Sequence, residues 1–400
     1  MSEADVTEAA AHSTGSTEPA DEAGKASRAG AASAEERLVG ADELTELGAT
    51  LLAAAGAGPD AARRVARSLV EADLAGHGSH GVRRLPGYLT WVRDGVVDPT
   101  RTGEVRSRTG ATAVVDGQRA FGQLAARRAA EEVAALCGEF AVGVVSVRDC
   151  NHVGRLGEYT ADLADRGLVA VALSNADPTV APHGGRERRL GTNPMSWALP
   201  RAEGRPPVVM DWATAAVAEG KLNVARTNGR SVAPGLLLDS AGAPSTRPAD
   251  FYAGGALLPF GGHKGYALSV VIEITGGLLS HTGISSLPGY EGGFGTVLIG
   301  VRIDAFVPLA EFRDQTESFC AELARTPLAE GHHEVLVPGE PEARTRAHRL
   351  AHGIPLPLPT WGELTELVEQ SEHPDKPEKQ EEPEEPEEPE ENEHPEQNGP

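Results

Sequence analysis

The stretch of the chain with the most reactive side chains is residues 76–81, "GHGSHG", with Arg83 and Arg84 just beyond it. It sets His77, Ser79 and His80 in a glycine-rich turn that a ligand could approach closely. Histidine titrates near neutral pH and can give or take a proton while a carbonyl is reduced. Arginine can hold a carboxylate through two parallel hydrogen bonds. Chemistry on a small acid fits these residue types. A solvated loop followed by surface arginines fits them too, and the loop alone does not choose. Its letters also match GxGxxG, but the dinucleotide fingerprint needs a strand before it and a helix opening after it. Here the preceding segment, "ARRVARSLVEADL", reads as a helix, so the match is accidental. No Walker loop is present, so ATP chemistry is not indicated.

Periodicity supplies the elements around this loop. Leu44, Leu47, Leu51 and Leu52 recur at helical spacing over 41–55, and Gly56 and Gly58 stop that helix. Pro59 suits the first turn of a second helix, which runs to Leu74 through Val65, Leu69 and Val70. A short helix is expected in "VRRLPGYLTWVRDG", with Gly95 as its C-cap. The middle then alternates: strand "ATAVVDG", helix "FGQLAARRAAEEVAALCG", strand "AVGVVSVR", helix "VGRLGEYTADLADRG" and strand "LVAVALSNA". This is an α/β pattern. From 178 to about 259 the chain is rich in Gly and Pro, with short strands in "PPVVMDWA" and "GLLLDSAG". A helix in "HKGYALSVVIEITGGLLS", a strand in "GTVLIGVRI" and a helix over 310–328 complete the reading, with no internal repeat.

Composition bounds the fold and its partners. The chain has 400 residues and a net charge of −23. Residues 1–36 hold eight acids against two bases, and residues 369–400 hold fourteen against two, so −18 of the total lies at the ends. The first segment has few large apolar residues, and the last is a Glu/Pro run, "EEPEEPEEPEENE". Neither can bury enough surface to offset its ordering entropy, so disordered tails are expected over 1–36 and 370–400, with the folded body over 37–365. No basic cluster suggests nucleic acid. Cys137, Cys150 and Cys320 have no metal or redox spacing. No leader-like or membrane-spanning stretch is seen, which points to the cytoplasm.

Several motifs follow one another in order: "GHGSHGVRRLPGYLTWVRDG", "NHVGRLGEYTADLADRG", "APHGGRERRLGTNPMSWALP", "VVMDWATAAVAEGKL", "LLPFGGHKGYALSVVIEITGGLLS" and "VLVPGEPE". Together they closely resemble the type-2 malate/L-lactate dehydrogenase family, which also includes ureidoglycolate and sulfolactate dehydrogenases, diketogulonate reductases and Δ1-piperideine-2-carboxylate reductases. The resemblance covers residues 38–365. It implies an α/β fold distinct from the Rossmann enzymes, an NAD or NADP site built from separate loops, with the cofactor-binding part inserted at about 115–280, and a homodimer. It implies that His80 donates the proton, with Ser79 and Asp211 as the relay that orients it. His152 lies near the substrate, where some relatives use it as a base. Arg84 becomes the carboxylate clamp, and Thr192 and Asn193 in "LGTNP" shape the substrate pocket. For the cofactor the resemblance implies Asp211, Trp212 and Ala213, Lys221, His263, Lys264 and Gly265, and Gly339 and Glu340. A lysine among glycines suits a pyrophosphate. The chain departs from many relatives at Ala176, at Arg247 and in "EGGFGTVLIG", which lacks a histidine.

The function expected is hydride transfer between a nicotinamide and a small 2-hydroxy/2-oxo acid. Reduction of a cyclic imine carboxylate is the alternative, because both substrates carry a carboxylate beside the reducible carbon. Two other readings were weighed: a metal-dependent hydrolase using His77, His80, His152, His183 and His263, and a catalytically silent relative that binds through its acidic tail. The first lacks a HExxH-type helix, so no metal ligand set is assigned. Against the second, every proposed catalytic position is intact.

Overall fold

The computed structural model describes residues 35–372. The expected tails at 1–34 and 373–400 lie outside the described residues. The described fold reaches past both expected boundaries, toward the termini. Strand β1 (Glu36–Val39) already includes Glu36, and the last helix, α11 (Leu358–Glu372), runs past residue 370.

A helical layer carries the first core. Helices α1 (Ala41–Ala54), α2 (Pro59–Leu74) and α3 (Leu85–Arg93) pack with α11, and β1 pairs antiparallel with β12 (Ile354–Pro357). The first and last segments of the fold therefore close on each other. Gly48 makes the α1–α2 approach possible, since a Cβ there would lie 3.1 Å from that of Ala66. The β1–β12 pair is not visible in the sequence: each strand is four residues long, with no alternation to register.

The second layer is a seven-stranded sheet in the order β2 (Glu104–Thr109), β3 (Thr112–Asp116), β4 (Val142–Arg148), β11 (Thr296–Arg302), β5 (Leu168–Ser174), β6 (Met195–Leu199), β7 (Val208–Trp212). Strands β3 and β4 run parallel and the other neighbours antiparallel. The parallel pair needs a crossover, supplied by α4 (Gly122–Phe140). Its buried face carries the small residues Ala125, Ala126, Ala129 and Ala130 beside Val133 and Leu136, so it lies close on the sheet. Gly300 of β11 is needed there, because a Cβ would lie 2.5 Å from Val133. Helix α5 (Gly157–Asp165) covers the same core. The sheet starts at Glu104 and takes β11 from beyond residue 280, so it draws on more chain than the stretch of 115–280 expected for the cofactor part.

The Gly/Pro-rich region holds helices α6 (Glu219–Thr227) and α7 (Pro248–Tyr252) and the small sheet β9 (Pro244–Ser245), β8 (Leu237–Leu238), β10 (Ala256–Leu257). Helix α8 (His263–Leu279) packs Leu268 and Ile272 on Val171, Leu173 and Met195 of the large sheet. Helices α9 (Leu309–Ala324) and α10 (Glu340–His352) follow. The proline in "VLVPGEPE" hides the start of α10, yet it sits in the first turn, where a missing N–H costs nothing.

Candidate active site

The "GHGSHG" segment leaves the C-terminus of α2 and forms two successive 3-10 turns, Gly78–His80 and Val82–Arg84. It follows a helix, and the large sheet is mostly antiparallel, so the segment is not a dinucleotide loop. The Ser79 hydroxyl lies 3.0 Å from Nδ1 of His80, which leaves Nε2 to face a ligand. Arg84 donates from Nε to the Ser79 carbonyl oxygen at 2.7 Å. That bond fixes the guanidinium plane and leaves its two terminal nitrogens for a carboxylate.

His152 arrives from the loop after β4. Its ring stacks on His80 with centroids 5.4 Å apart and meets Phe294 edge-on. Gln123, at the start of α4, donates from Nε2 to the Tyr88 hydroxyl at 2.7 Å. The Tyr88 proton is then directed at Nδ1 of His152, also 2.7 Å away. With Tyr88 donating to Nδ1, a neutral His152 carries its proton on Nε2. Burial pushes His80 down to about 3, with Arg84, His77 and Arg155 acting in the same direction. Burial, His80 and Arg84 hold His152 well below its ordinary value. Both rings are neutral at neutral pH. Tyr88 is pushed up to about 12 by burial, against the Gln123 hydrogen bond and Arg84, so it stays a donor.

Asp211, at the end of β7, accepts from the Gly157 backbone N–H at 2.8 Å. Among the described residues no hydrogen bond joins it to Ser79 or His80. Burial raises its carboxyl, opposed by Arg155 and the Gly157 amide. Asp211 and Gly339 line a cavity of about 130 Å³ together with Arg155, Gly157 and Glu342. Gly157 must be glycine, since a Cβ would lie 2.7 Å from the Asp211 carboxylate. Gly339 has φ +92° and would place a Cβ 3.0 Å from the Val209 nitrogen. Glu342 lies 3.7 Å from His77 Nε2, which ties the cavity to the 77–80 segment.

The remaining cofactor candidates lie elsewhere. Trp212 is exposed and meets Phe260 edge-on, and His263 meets His183 edge-on. Lys221 and Lys264 are exposed, and Ala213 is half-buried against the core of the small sheet. Gly265 lets α8 start tight against the preceding loop, since a Cβ would lie 2.1 Å from the Phe260 oxygen. Gly220, beside Lys221, packs on Ser79, where a Cβ would come within 2.7 Å of the Ser79 Cβ. This brings α6 onto the Gly78–His80 turn.

Besides Asp211, two placements differ from the expectation. Asn193 lies in the interior: its amide nitrogen donates to Ser269 and, at 2.8 Å, to Glu273. It shapes the "LGTNP" turn from inside, while Thr192 is partly exposed. Glu340 is bonded by Arg201 at 2.9 Å and by the Val337 amide, and so anchors α10. The five histidines of the metal reading separate: His80 is with His152, His183 with His263, and His77 with Glu342.

Sequence reasoning missed Tyr88, Gln123, Arg155 and Asp73. Asp73 carried a signal: it follows Val65 and Leu69 at spacing of four, on the buried face of α2.

The family profile described as malate/L-lactate dehydrogenase matches residues 39–365. The chain belongs to that family. An L-sulfolactate dehydrogenase from Methanothermobacter thermautotrophicus is 36% identical over 299 residues, which is 73% of this chain and 85% of the relative. Among solved structures, a malate dehydrogenase from Entamoeba histolytica superposes with a TM-score of 0.81 at 27% identity, covering 84% of this chain and 99% of the other. A Δ1-piperideine-2-carboxylate reductase from Pseudomonas syringae gives 0.75 at 31% identity, covering 83% and 99%. This member of the malate/L-lactate dehydrogenase family is thus a nicotinamide-dependent oxidoreductase acting on small 2-hydroxy acids. Its residues fit such a cofactor: glycines keep the Asp211 cavity open, and the buried Nε of Arg155 there has no hydrogen-bond partner among the described residues. Among the described residues no helix is long and apolar enough to cross a membrane.

Proposed function

We propose that this enzyme interconverts a small 2-oxo acid and its 2-hydroxy acid, with His80 as the proton donor and Arg84 as the carboxylate clamp. The observation that carries the reading is the triad of Ser79, His80 and Arg84, fixed by the two bonds within one turn and stacked on a second neutral imidazole, His152. When bound, the nicotinamide supplies or takes the hydride. The protein's part is to hold the acid and move the proton. Arg84 grips the carboxylate, and Nε2 of His80 gives a proton to the carbonyl oxygen as it becomes a hydroxyl. Ser79 steadies the opposite ring nitrogen, and the Nε2–H of His152 offers a second donor.

A donor with its pKa pushed down to about 3 needs help to hold a proton. The substrate carboxylate supplies it by offsetting the charge of Arg84, the largest of the charges that depress His80. Carboxylate binding is therefore coupled to proton uptake. The cofactor is assigned to the Asp211–Gly339 cavity and, outside that cavity, to Trp212, Ala213, Lys221, His263, Lys264 and Gly265. Asp211 serves there through the Gly157 backbone. Thr192 is assigned to the substrate side.

The homodimer is assigned to α8, whose outer face leaves Val271, Ile274, Leu278 and Leu279 between 50% and 57% exposed. Such a contiguous apolar stripe marks an interaction surface. Ile274→Glu is expected to convert a dimer to a monomer in light scattering, and a wild-type monomer would remove the assignment. The three cysteines are free and buried, which suits the cytoplasm.

The deciding experiment follows oxidation of NADH and of NADPH against oxaloacetate, pyruvate, 2-oxoglutarate, sulfopyruvate, diketogulonate and Δ1-piperideine-2-carboxylate. Turnover of an open-chain 2-oxo acid supports the proposal and fixes the cofactor. Turnover of the cyclic imine alone would replace it with imine reduction, the second reading favoured by the reductase that superposes on this chain. Silence with no cofactor binding would overturn both.

A further inference from the structure

The proton-donor turn rests on a residue outside the machinery described so far. Asp73 is the penultimate residue of α2 and is 3% exposed. Its Oδ2 accepts from the Val82 backbone N–H at 2.8 Å, just beyond His80 and Gly81. Gly81 lies directly on the carboxylate, where a Cβ would be 1.9 Å from Oδ1 and 2.1 Å from Cγ. Gly78, at the other end of the first 3-10 turn, would place a Cβ 3.6 Å from Oδ1. Both glycines flanking Ser79 and His80 therefore face one buried carboxylate. The Asp73 backbone is held in turn: its carbonyl accepts from Gly76 N–H at 3.0 Å and from Arg349 of α10.

We propose that Asp73 is the positioning residue for His80, setting the height and pitch of the 78–82 turn from below. This inference rests on the reading of His80 as proton donor. The carboxylate does not reach the reacting atoms; it acts through the turn. One acceptor oxygen closes the turn at Val82, and the bulk of the group fixes how closely Gly81 approaches α2. Burial pushes Asp73 up to about 7, against the Val82 hydrogen bond and the charges of Arg349 and Arg83, which face it from α10 and from the second turn. A buried acid kept where an apolar residue would pack more cheaply marks a geometric requirement. A misplacement of about 1 Å at a reacting group can lower turnover roughly 100-fold.

The test compares Asp73→Ala, Asp73→Asn, Gly81→Ala and the double variant Asp73→Ser/Gly81→Ala with His80→Asn, on the 2-oxo acid of the panel above that turns over fastest. Asp73→Ala is expected to lower kcat at least about 10-fold while NADH or NADPH affinity, read by fluorescence, stays within about 2-fold. Asp73→Asn keeps an acceptor for Val82 N–H and should recover most of kcat. Gly81→Ala should lose turnover because its methyl meets the carboxylate. Shortening that residue to serine should restore part of it, a coupling expected only of groups in contact. If Asp73→Ala does not fold, the Gly81→Ala loss and its rescue carry the test. Wild-type kcat in a folded Asp73→Ala or Gly81→Ala, or no rescue in the double variant, overturns the positioning role. Wild-type turnover in His80→Asn overturns the proton-donor reading instead. Loss in His80→Asn with wild-type kcat in Asp73→Ala overturns only the inference about Asp73.

Discussion

The His80 side of the site, proposed to handle the proton, and the side proposed for the cofactor are built differently. Around His80 a chain of hydrogen bonds already holds the side chains in place: Ser79 on Nδ1, Arg84 on the Ser79 carbonyl, Gln123 on Tyr88 and Tyr88 on His152. Along the cofactor side Trp212, Lys221, His263 and Lys264 are exposed, and Lys264 forms no side-chain hydrogen bond or ion pair among the described residues. Proton transfer depends on angles and on the protonation state of a buried ring, so it needs a wired, low-dielectric pocket before substrate arrives. A long anionic cofactor can be gathered by point charges and backbone amides that order around it. The comparison separates what must be preorganised from what binding can complete.

The largest expected break in that comparison is His80→Asn, which should lower turnover by about 100-fold or more and leave cofactor binding nearly intact by fluorescence. Equal losses in turnover and cofactor affinity would mean that the two sides are not separable. Next is Arg84→Lys. Lysine cannot reproduce the fork held by the Ser79 carbonyl, so the Michaelis constant for the 2-oxo acid should rise about 10-fold; an unchanged constant removes Arg84 from the clamp. Lys264→Ala should act on the other side only, weakening NADH or NADPH by roughly 3- to 10-fold, the scale of one exposed charge contact, with kcat at saturation preserved.

The smallest effect is on stability. The folded-state pKa of His80 lies near 3, below its unfolded value of 6.5. Its contribution is complete above the unfolded value and is lost as pH falls from there toward about 3. From pH 7 to pH 5, denaturant unfolding should show wild type losing about 2 kcal/mol more than His80→Asn. Equal losses would mean that His80 is charged in the free enzyme. Asp73 has the opposite sign: its raised pKa makes its contribution full below the unfolded carboxyl value of 3.8 and lost as pH rises toward about 7. The comparison of the two proteins cancels it.

The long helices and the central strands were legible because their apolar residues repeat at 3.6 or form short runs flanked by glycine. The strands β1 and β12 were not, because each is four residues long and takes its register from a partner at the other end of the fold; β2 was not, because it is an almost wholly exposed edge strand with no apolar alternation, and β6 was hidden in the Gly/Pro-rich region. Among site residues, Ser79, His80, Arg84 and His152 were named from motifs, and the structure brings all four together. Asp211 was expected beside His80 and lies instead on the Gly157 amide. Asn193 was expected to face substrate and lies inside. Tyr88 and Gln123 went unnamed, since 35 positions separate two residues whose only link is a hydrogen bond.

The sequence by itself determined the chemistry on offer: a histidine and an arginine in one glycine-rich turn, a second histidine after a buried strand, and glycines where a Cβ would collide. Residue type fixes what a group can donate, accept or tolerate, and that is local information. The tertiary structure alone decided that both imidazoles are neutral, which partners their ring nitrogens meet, and which acid lies beneath the turn. Those properties depend on desolvation and on partners brought within about 3 Å by packing, and no order of letters along the chain specifies such distances.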